Sequence, residues 1–454
     1  MMTNSRSDVT RLLLYSSKRV RKVKGKQKVG LIPTFERAVK NISRPVIFVP
    51  GIMASSLAIK NADGDLDYFW PPLYTFSGSE MIAKMHNGLK SPIRVEAEDK
   101  VPVQPVGLFP LAYTYLINAT ERWGYVRNQN FWIFPYDWRQ SNNMSGKLLA
   151  DFITNKIEEG KVNRNHNHDG VDVINHSMGG LVTRAAALQY GAPIIRSVYI
   201  ASPHYGSPLS YFGLHPGIGH DVGFSKFFHQ PPIENKLNLS LAMASRNNED
   251  SIEEEEDDSS TAIALTTTAN ASLHPQLKQI FRNFPSMYEL LPDFYYLQKR
   301  PLLYADTTAI YGVENTYFNN DWKFSEEYAV SMAMQAMKFK KEKLGEKLPG
   351  KKENNLVIYG VEEPTDDTIV YQTRYFMSGS DTHPNHISKH QFSHPYDSGQ
   401  QGDSWVPTLG AMGSMSGTSE YPNSKSIQGT HTLLPNYANT LQDIWKFLLG
   451  TGSQ

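Results

Sequence analysis

Ser177 stands in a sequence context that could turn a serine hydroxyl into a nucleophile. Residues 171–174 form an apolar run typical of a buried strand, and residues 181–190 form an alanine-rich stretch typical of a helix. A nucleophilic serine needs a sharp turn of this kind between a strand and a helix, and glycine two places to either side relieves crowding in it. Gly179 meets this requirement and Asn175 does not. The alternative interpretation is a plain turn without a chemical role.

A serine hydroxyl is a poor nucleophile at neutral pH, so it requires a histidine base and a carboxylate, in the chain order serine, acid, histidine. His431 lies in the loop before the last predicted helix, residues 437–449, and is the expected base. Asp403 precedes it in the chain and is the expected acid. Asp366 and Asp367 are the alternative acids, although paired acids in a turn are usually solvated.

Two other histidines are predicted to have different roles. His176 precedes the serine directly, and its side chain should point away from the nucleophile on such a turn. His204 follows a predicted strand, residues 197–201, and is expected to shape the site rather than to act as the base.

Attack of this serine on a carbonyl carbon also requires donors for the oxygen that becomes negatively charged. The backbone N–H of Met178, directly after the serine, is the expected first donor. Residues 50–57 follow an early apolar strand and supply the second, with the N–H of Met53 or of Ile52 as candidates. The alternative interpretation of the Pro-Gly pair in this segment is an ordinary turn.

Strand patterns alternate with helical patterns along much of the chain. This order predicts an α/β fold with a mostly parallel central sheet and helices on both faces. Together with the serine turn, it predicts the α/β-hydrolase fold with an inserted cap. The predicted organisation is a basic N-terminal arm (1–43), a first part of the core (44–206) with an insertion at about 58–125, a cap (207–300) and a second part of the core (301–454).

The composition excludes several classes of partner and chemistry. The 454 residues carry 45 basic and 45 acidic side chains, so no net charge draws the chain to nucleic acid. No cysteine occurs, which excludes disulfides and a cysteine nucleophile. No apolar run resembles a signal peptide or a membrane span, so the sequence predicts a cytoplasmic protein.

Charge is concentrated in two local runs. Residues 18–28 contain seven basic side chains, and residues 249–258 contain eight acidic ones. Both runs are typical of solvated, mobile segments. The alternative for the basic run is a transient contact with an anionic membrane surface.

Five segments of the chain form a recognisable set: residues 49–57 (VPGIMASSL), 134–139 (FPYDWR), 176–182 (HSMGGLV), 402–407 (GDSWVP), and His431 with the leucines after it. Together they resemble the lecithin:cholesterol acyltransferase family of α/β-hydrolases, which includes lysosomal phospholipases and phospholipid:diacylglycerol acyltransferases. The segment 134–139 is the most family-specific, whereas the serine segment by itself would indicate only the superfamily. Residues 202–207 and 284–292 are similar to two further family loops.

The resemblance implies roles for individual residues at these positions. It implies a catalytic triad of Ser177, Asp403 and His431, with the N–H groups of Met53 and Met178 as oxyanion donors.

The same resemblance implies that Asp137 and Arg139 form a structural ion pair beside the site. Two departures bear on the substrate. This chain lacks the cysteines that restrain a lid in secreted animal members, and Asn175 stands where the family usually has Gly or Ala. The resemblance therefore predicts the fold and the reaction type of this chain more directly than the identity of its acyl donor or acceptor.

The predicted activity is that of a serine-dependent acyl ester hydrolase of the lipase, phospholipase or esterase type, with acyl transfer to an alcohol as a second outcome. The resemblance implies a lipid or another acyl ester as the substrate. Water is the favoured acceptor, because no sequence feature shows that the cap excludes water while it admits an alcohol. The alternatives are a catalytically silent lipid-binding protein on the same fold and an amidase with the same triad.

Acyl transfer through a serine requires no cofactor, and none is predicted. The His-rich residues 383–394 offer a metal site as an alternative, because imidazole and carboxylate groups bind zinc. A polar loop is the simpler interpretation of this segment.

Overall fold

The computed structural model describes most of the predicted core. The described residues are 44–60, 63–70, 85, 103–108, 113–162, 169–215, 280–305, 308–320, 323–365, 367–377, 387–396, 401–412 and 421–449. Some sequence predictions fall outside them, namely the basic run 18–28, the acidic run 249–258, most of the cap, Asp366 and residues 383–386 of the His-rich segment. The predicted domain boundaries stay predictions.

Strands and helices of the described residues are numbered here in chain order. The strands are β1 (Val46–Val49), β2 (Ser55–Lys60), β3 (Leu66–Trp70), β4 (Val103–Leu108), β5 (Phe131–Ile133), β6 (Val171–His176), β7 (Ile194–Ile200), β8 (Leu303–Ala305), β9 (Thr308–Ile310), β10 (Asn355–Val361), β11 (Glu363–Pro364), β12 (Thr368–Met377), β13 (Ile387–Tyr396), β14 (Gln401–Gly402) and β15 (Asn423–Gln428). The helices are α1 (Thr114–Arg122), α2 (Asn142–Val162), α3 (Gly179–Tyr190), α4 (Pro208–Leu214), α5 (Pro285–Glu289), α6 (Phe294–Lys299), α7 (Val313–Tyr317), α8 (Glu327–Lys338), α9 (Thr408–Ala411) and α10 (Ala438–Leu449).

Six strands form the central sheet, in the spatial order β15-β10-β7-β6-β1-β5. Each neighbouring pair is parallel. All four residues of β1 are buried, and they alternate between two hydrophobic clusters, with Ile47 and Val49 in one and Val46 and Phe48 in the other. Burial on both faces is what a parallel sheet requires, since its crossover helices lie there. The predicted fold class, a mostly parallel sheet with helices on both faces, is confirmed.

The covering helix α2 has an apolar face toward the sheet. In α2 the large buried apolar side chains recur every four residues, at Leu149, Ile153 and Ile157, and they belong to the same cluster as the inner face of α3. Leu148, directly before Leu149, is 50% exposed. No helix among the described residues has both the length and the apolar character that crossing a bilayer requires.

Smaller sheets lie beside the central one. The order β3-β2-β4 forms an antiparallel sheet within the predicted insertion, and β13-β12-β8-β9 forms another sheet. The prediction of a loop for the His-rich segment is wrong for its described part, because β13 pairs with all ten residues of β12. β12 has the sequence TIVYQTRYFM, rich in β-branched and aromatic residues, and provides a pairing partner that the His-rich composition does not reveal.

Glu289, the last residue of α5, links that helix to the start of α2. Its carboxylate accepts hydrogen bonds from the Ser141 hydroxyl and from the Asn142 N–H, both at 2.6 Å. The second bond satisfies one of the free N–H groups at a helix start. Burial raises the pKa of Glu289 to about 7, although both hydrogen bonds act in the opposite direction. The folded protein therefore keeps this carboxyl protonated at a pH where an unfolded chain ionises it.

Glu289→Gln should remove a pH dependence of the folding stability. Between the ordinary pKa of 4.5 and about 7, the folded wild type binds more protons than the unfolded chain, so its stability falls as the pH rises. From pH 5 to pH 8, the free energy of unfolding of the variant relative to wild type should increase by about 2–3 kcal/mol. Denaturant unfolding at both pH values measures this change. Glu314→Gln, at an exposed position, is the control, and parallel pH profiles for wild type and Glu289→Gln would contradict the prediction.

Candidate active site

Ser177 occupies the turn between β6 and α3, as the sequence predicts. Its φ angle of 53° lies in the left-handed region, which is uncommon for a residue with a side chain. Its N–H donates to the Ile200 carbonyl at 2.8 Å. A β-carbon at Gly179 would lie 2.5 Å from the carbonyl oxygens of Val49 and Pro50. The turn therefore packs so closely against the end of β1 that it needs a glycine two residues after the serine.

Asn175, the departure from the expected glycine, has a partner for its amide oxygen, whereas its Nδ2 has no hydrogen-bond partner among the described residues. The side chain is buried, and its Oδ1 accepts a hydrogen bond from the Ser202 hydroxyl at 3.0 Å. Gly180 leaves the room for this pair, since a β-carbon there would lie 2.3 Å from Ser202 Oγ. The bond ties the end of β6 to the loop after β7.

His431 lies between the serine and an aspartate. Its Nε2 is 2.8 Å from Ser177 Oγ, and its Nδ1 is 2.8 Å from Asp403 Oδ2. A carboxylate only accepts hydrogen bonds, so Nδ1 holds the proton and Nε2 accepts from the serine hydroxyl. All three side chains are buried. A hydroxyl, an imidazole and a carboxylate in this arrangement are the groups that can activate a serine as a nucleophile.

The loop after β14 fixes the aspartate through its own backbone. Asp403 Oδ1 accepts hydrogen bonds from the N–H groups of Trp405, at 3.0 Å, and Val406, at 2.7 Å. The backbone N–H of His431 donates to the Asp403 carbonyl at 2.8 Å. The Trp405 ring stacks on the His431 imidazole with a centroid distance of 5.0 Å. The sequence analysis assigned no role to Trp405. Its position two residues after Asp403 was the one feature of the sequence that could have indicated a contact with the site.

Asp367, one of the two alternative acids, is buried and pairs with Arg300. Asp366, the other alternative, lies outside the described residues. Of Asp403 and Asp367, the structure brings Asp403 into hydrogen-bond contact with His431.

The loop from Pro50 to Ala54 lies directly against the serine. A β-carbon at Gly51 would come within 2.9 Å of Ser177 Cβ. Two N–H groups of this loop are already engaged, since Gly51 donates to the Tyr113 hydroxyl at 3.0 Å and Ala54 donates to the Gly51 carbonyl at 3.3 Å. The remaining backbone N–H groups of this loop are those of Ile52 and Met53, the two candidates from the sequence. Met53 has a φ angle of 62°, in the left-handed region.

Two side chains of residues 134–139 are hydrogen-bonded to this loop and to the first residue of the strand that follows it. The Tyr136 hydroxyl donates to the Pro50 carbonyl at 3.0 Å, and the Trp138 indole donates to the Ser55 carbonyl at 3.1 Å. Asp137 and Arg139 form an ion pair through two side-chain hydrogen bonds of 2.7 and 2.8 Å. A further guanidinium N–H of Arg139 donates to the Met85 carbonyl at 2.7 Å.

Neither of the two histidines that the sequence set apart from the base is hydrogen-bonded to the Ser177 hydroxyl. His204 is buried, packs edge-on against the Tyr199 ring and has no hydrogen-bond partner for its ring nitrogens among the described residues. Both ring nitrogens of His176 are engaged, one with Tyr113 and one with the backbone of His431. Burial lowers the pKa of both imidazoles well below the usual range.

No group of three histidine and carboxylate side chains within the described part of the chain could hold a metal ion. Residues 383–386 of the His-rich segment are outside that part.

A parallel sheet with a serine turn after one strand, an acid loop after a later strand and a histidine before the last helix defines an α/β-hydrolase. A structure of the Tle4–Tli4 complex shares this fold at 14% sequence identity, with a TM-score of 0.52 over 89% of this chain and 98% of that chain. The family model for lecithin:cholesterol acyltransferase matches residues 110–410, about two thirds of the chain. The chain belongs to the lecithin:cholesterol acyltransferase family.

Two further similarities are weaker or cover a shorter stretch. The mature form of the Bacillus licheniformis lipase BlEst2 is 11% identical, with a TM-score of 0.30 over 91% of this chain and 94% of that chain. An uncharacterised protein of Saccharomyces cerevisiae is 43% identical over 77 residues, which are 17% of this chain and 11% of the yeast protein. This chain therefore matches only a small part of that curated relative.

Proposed function

We propose that this protein is a serine-dependent acyl ester hydrolase that acts on lipid esters. The observation that supports the proposal best is the His431 imidazole, which contacts Ser177 Oγ and Asp403 Oδ2 at 2.8 Å each. Membership of a family named for an acyltransferase agrees with chemistry at an acyl ester.

The proposed reaction proceeds through an acyl-enzyme. His431 Nε2 takes the proton of the Ser177 hydroxyl while the serine oxygen attacks the ester carbonyl carbon. The tetrahedral intermediate collapses when the C–O bond to the alcohol breaks, and His431 gives its proton to the leaving oxygen. Water then attacks the carbonyl carbon of the acyl-enzyme, with His431 again as the base. The bond from the acyl carbon to the Ser177 oxygen breaks, His431 returns its proton to that oxygen, and the fatty acid leaves. Asp403 stabilises the imidazolium at both stages because its carboxylate faces Nδ1.

The developing negative charge on the carbonyl oxygen needs donors that are already in place. The N–H of Met178 follows the nucleophile at the start of α3, where the helix dipole also favours negative charge. The N–H of Met53 belongs to the loop that packs on Ser177, and residues 134–139 hold that loop in position. We assign these two groups as the oxyanion donors, and we assign Asp137 and Arg139 a structural role in this support.

Water is the acceptor in this proposal because it needs no second binding site. Transfer to a lipid alcohol uses the same acyl-enzyme and differs only in the nucleophile of the second step. Product analysis with and without an added long-chain alcohol separates the two outcomes, since transfer produces a new ester and hydrolysis produces only the free acid.

Ser177→Ala should abolish the proposed activity. Wild type should react covalently with a fluorophosphonate probe and hydrolyse nitrophenyl esters, with a preference for one range of acyl chain lengths. The variant should not be labelled, and its kcat should fall on the order of 10⁴–10⁶-fold, as loss of a triad nucleophile does. Ser331→Ala, at an exposed serine of α8, is the matched control and should behave as wild type.

The outcomes separate the proposal from its alternatives. Labelling of Ser177→Ala at the wild-type rate would assign the nucleophile to another residue. A folded wild type that stays unlabelled with detergent or liposomes present would replace the proposal with a silent lipid-binding protein. Turnover of anilides in preference to esters would indicate an amidase.

Asp403→Asn should lower kcat by about 10³–10⁴-fold, because the amide no longer holds the imidazole in the required tautomer. Asp367→Asn is the matched control at the alternative acid. It should lower the unfolding temperature through loss of the ion pair with Arg300, while kcat stays within tenfold of wild type. Steady-state kinetics and thermal unfolding of both variants measure these effects. An equal loss of kcat in the two variants would contradict the assignment of the acid.

A further inference from the structure

A continuous chain of hydrogen bonds joins three segments of the site: the loop at Gly51, the end of β6 at His176 and the backbone of His431. The Gly51 N–H donates to the Tyr113 hydroxyl oxygen at 3.0 Å. The same hydroxyl lies 2.8 Å from His176 Nδ1, and His176 Nε2 lies 3.0 Å from the carbonyl oxygen of His431. The chain therefore runs from the loop from Pro50 to Ala54, called the oxyanion loop below, through His176, the residue before the nucleophile, to the backbone of the base His431.

The chemistry of these groups assigns every proton in the chain. A carbonyl oxygen only accepts, so His176 Nε2 must hold a hydrogen. Burial, together with the nearby His431, keeps the pKa of His176 well below its usual range, so the ring is neutral and Nδ1 has a lone pair. The Tyr113 hydroxyl then donates to Nδ1 and accepts from the Gly51 N–H. In the other neutral tautomer, with the hydrogen on Nδ1, the lone pair of His176 Nε2 would face a lone pair of the His431 carbonyl oxygen.

The base has both of its backbone groups fixed as a result. The His431 N–H donates to the Asp403 carbonyl at 2.8 Å, and its carbonyl accepts from His176. The imidazoles of His176 and His431 also pack together, with centroids 4.8 Å apart. His176 is 4% exposed, so solvent does not compete for these contacts.

We propose that His176 is a positioning residue for the base His431, and that Tyr113 couples it to the oxyanion loop at Gly51. His176 donates to the His431 backbone and keeps the His431 imidazole within hydrogen-bond distance of the Ser177 hydroxyl. Tyr113 fixes the His176 tautomer and, through the Gly51 N–H, the loop that supplies the second oxyanion donor. This inference rests on the proposed function, because it concerns the geometry of the same reaction.

Packing alone does not account for the residue types found here. An apolar ring at position 176 would fill the space and leave the carbonyl of His431 buried without its donor, which costs more than the lost contact itself. A phenylalanine at position 113 would likewise remove both the acceptor of the Gly51 N–H and the donor to His176. A displacement of about 1 Å at a catalytic group can cost 10²-fold in rate.

Two substitutions of His176 separate positioning from bulk. A glutamine amide nitrogen falls near the position of Nε2, so His176→Gln keeps a donor for the His431 carbonyl. An asparagine amide falls near Nδ1, so His176→Asn keeps the Tyr113 contact and loses the donor. With a nitrophenyl ester, kcat should stay within tenfold of wild type for His176→Gln and fall about 10²-fold for His176→Asn, with KM unchanged in both.

Tyr113→Phe tests the other end of the chain. It should lower kcat by about tenfold or more, since the oxyanion loop and the His176 tautomer lose the same hydroxyl. Tyr125→Phe, at a buried tyrosine of the same hydrophobic cluster, is the matched control and should retain wild-type kcat. If His176→Asn does not fold, the kcat values of Tyr113→Phe and His176→Gln decide whether the hydrogen-bond chain positions His431.

Wild type and Ser177→Ala are assayed in parallel with the same ester. Equal kcat values for wild type, His176→Asn and Tyr113→Phe, with Ser177-dependent turnover present, would overturn this inference alone. A rise in KM with an unchanged kcat in His176→Asn and Tyr113→Phe would also overturn it. Absence of Ser177-dependent turnover in wild type would refute the proposed function and the inference with it.

Discussion

The hydrogen bond between His431 and Ser177 joins two residues that lie 254 positions apart in the chain. The fold makes this contact possible because its central strands are parallel, so their carboxyl ends meet at one edge of the sheet. β6 ends at His176, directly before Ser177, and β15 ends at Gln428, just before His431. The loop that carries Asp403 follows β10 in the chain and packs on its end, since a β-carbon at Gly360 would touch Asp403. The order of strands in the sheet therefore sets which loops can meet.

Backbone groups supply many of the hydrogen bonds around this contact. The carboxylate of Asp403 is fixed by two N–H groups of its own loop, and the base is fixed through its N–H and its carbonyl. Tyr136 and Trp138 hold the loop over the nucleophile by bonds to backbone carbonyls. Donors and acceptors held in this way need no rearrangement during the reaction, which is the physical basis of electrostatic catalysis. The family-specific residues 134–139 thus have a structural explanation in this chain.

The sequence was sufficient for the features that depend on local pattern. The strand before Ser177, the helix after it and the position of His431 before the last helix follow from apolar periodicity and chain order. Tyr113 had no such signal, since its partners Gly51 and His176 lie 62 and 63 residues away. β15, with the polar sequence NSKSIQ, is an edge strand that is recognisable only by its pairing with β10. The strand β13 was missed for the same reason, because its ladder with β12 is a tertiary interaction.

Detection of the acyl-enzyme tests the proposed mechanism most directly. Wild type is mixed with a nitrophenyl ester, quenched in acid within milliseconds, digested and analysed by mass spectrometry for the peptide that contains Ser177. The mechanism predicts that this peptide gains the mass of the acyl group, with the modification on the serine oxygen, and that the adduct disappears as the ester is exhausted. Rapid ester turnover with an unmodified Ser177 peptide, or an acyl group on a different residue, would contradict the mechanism.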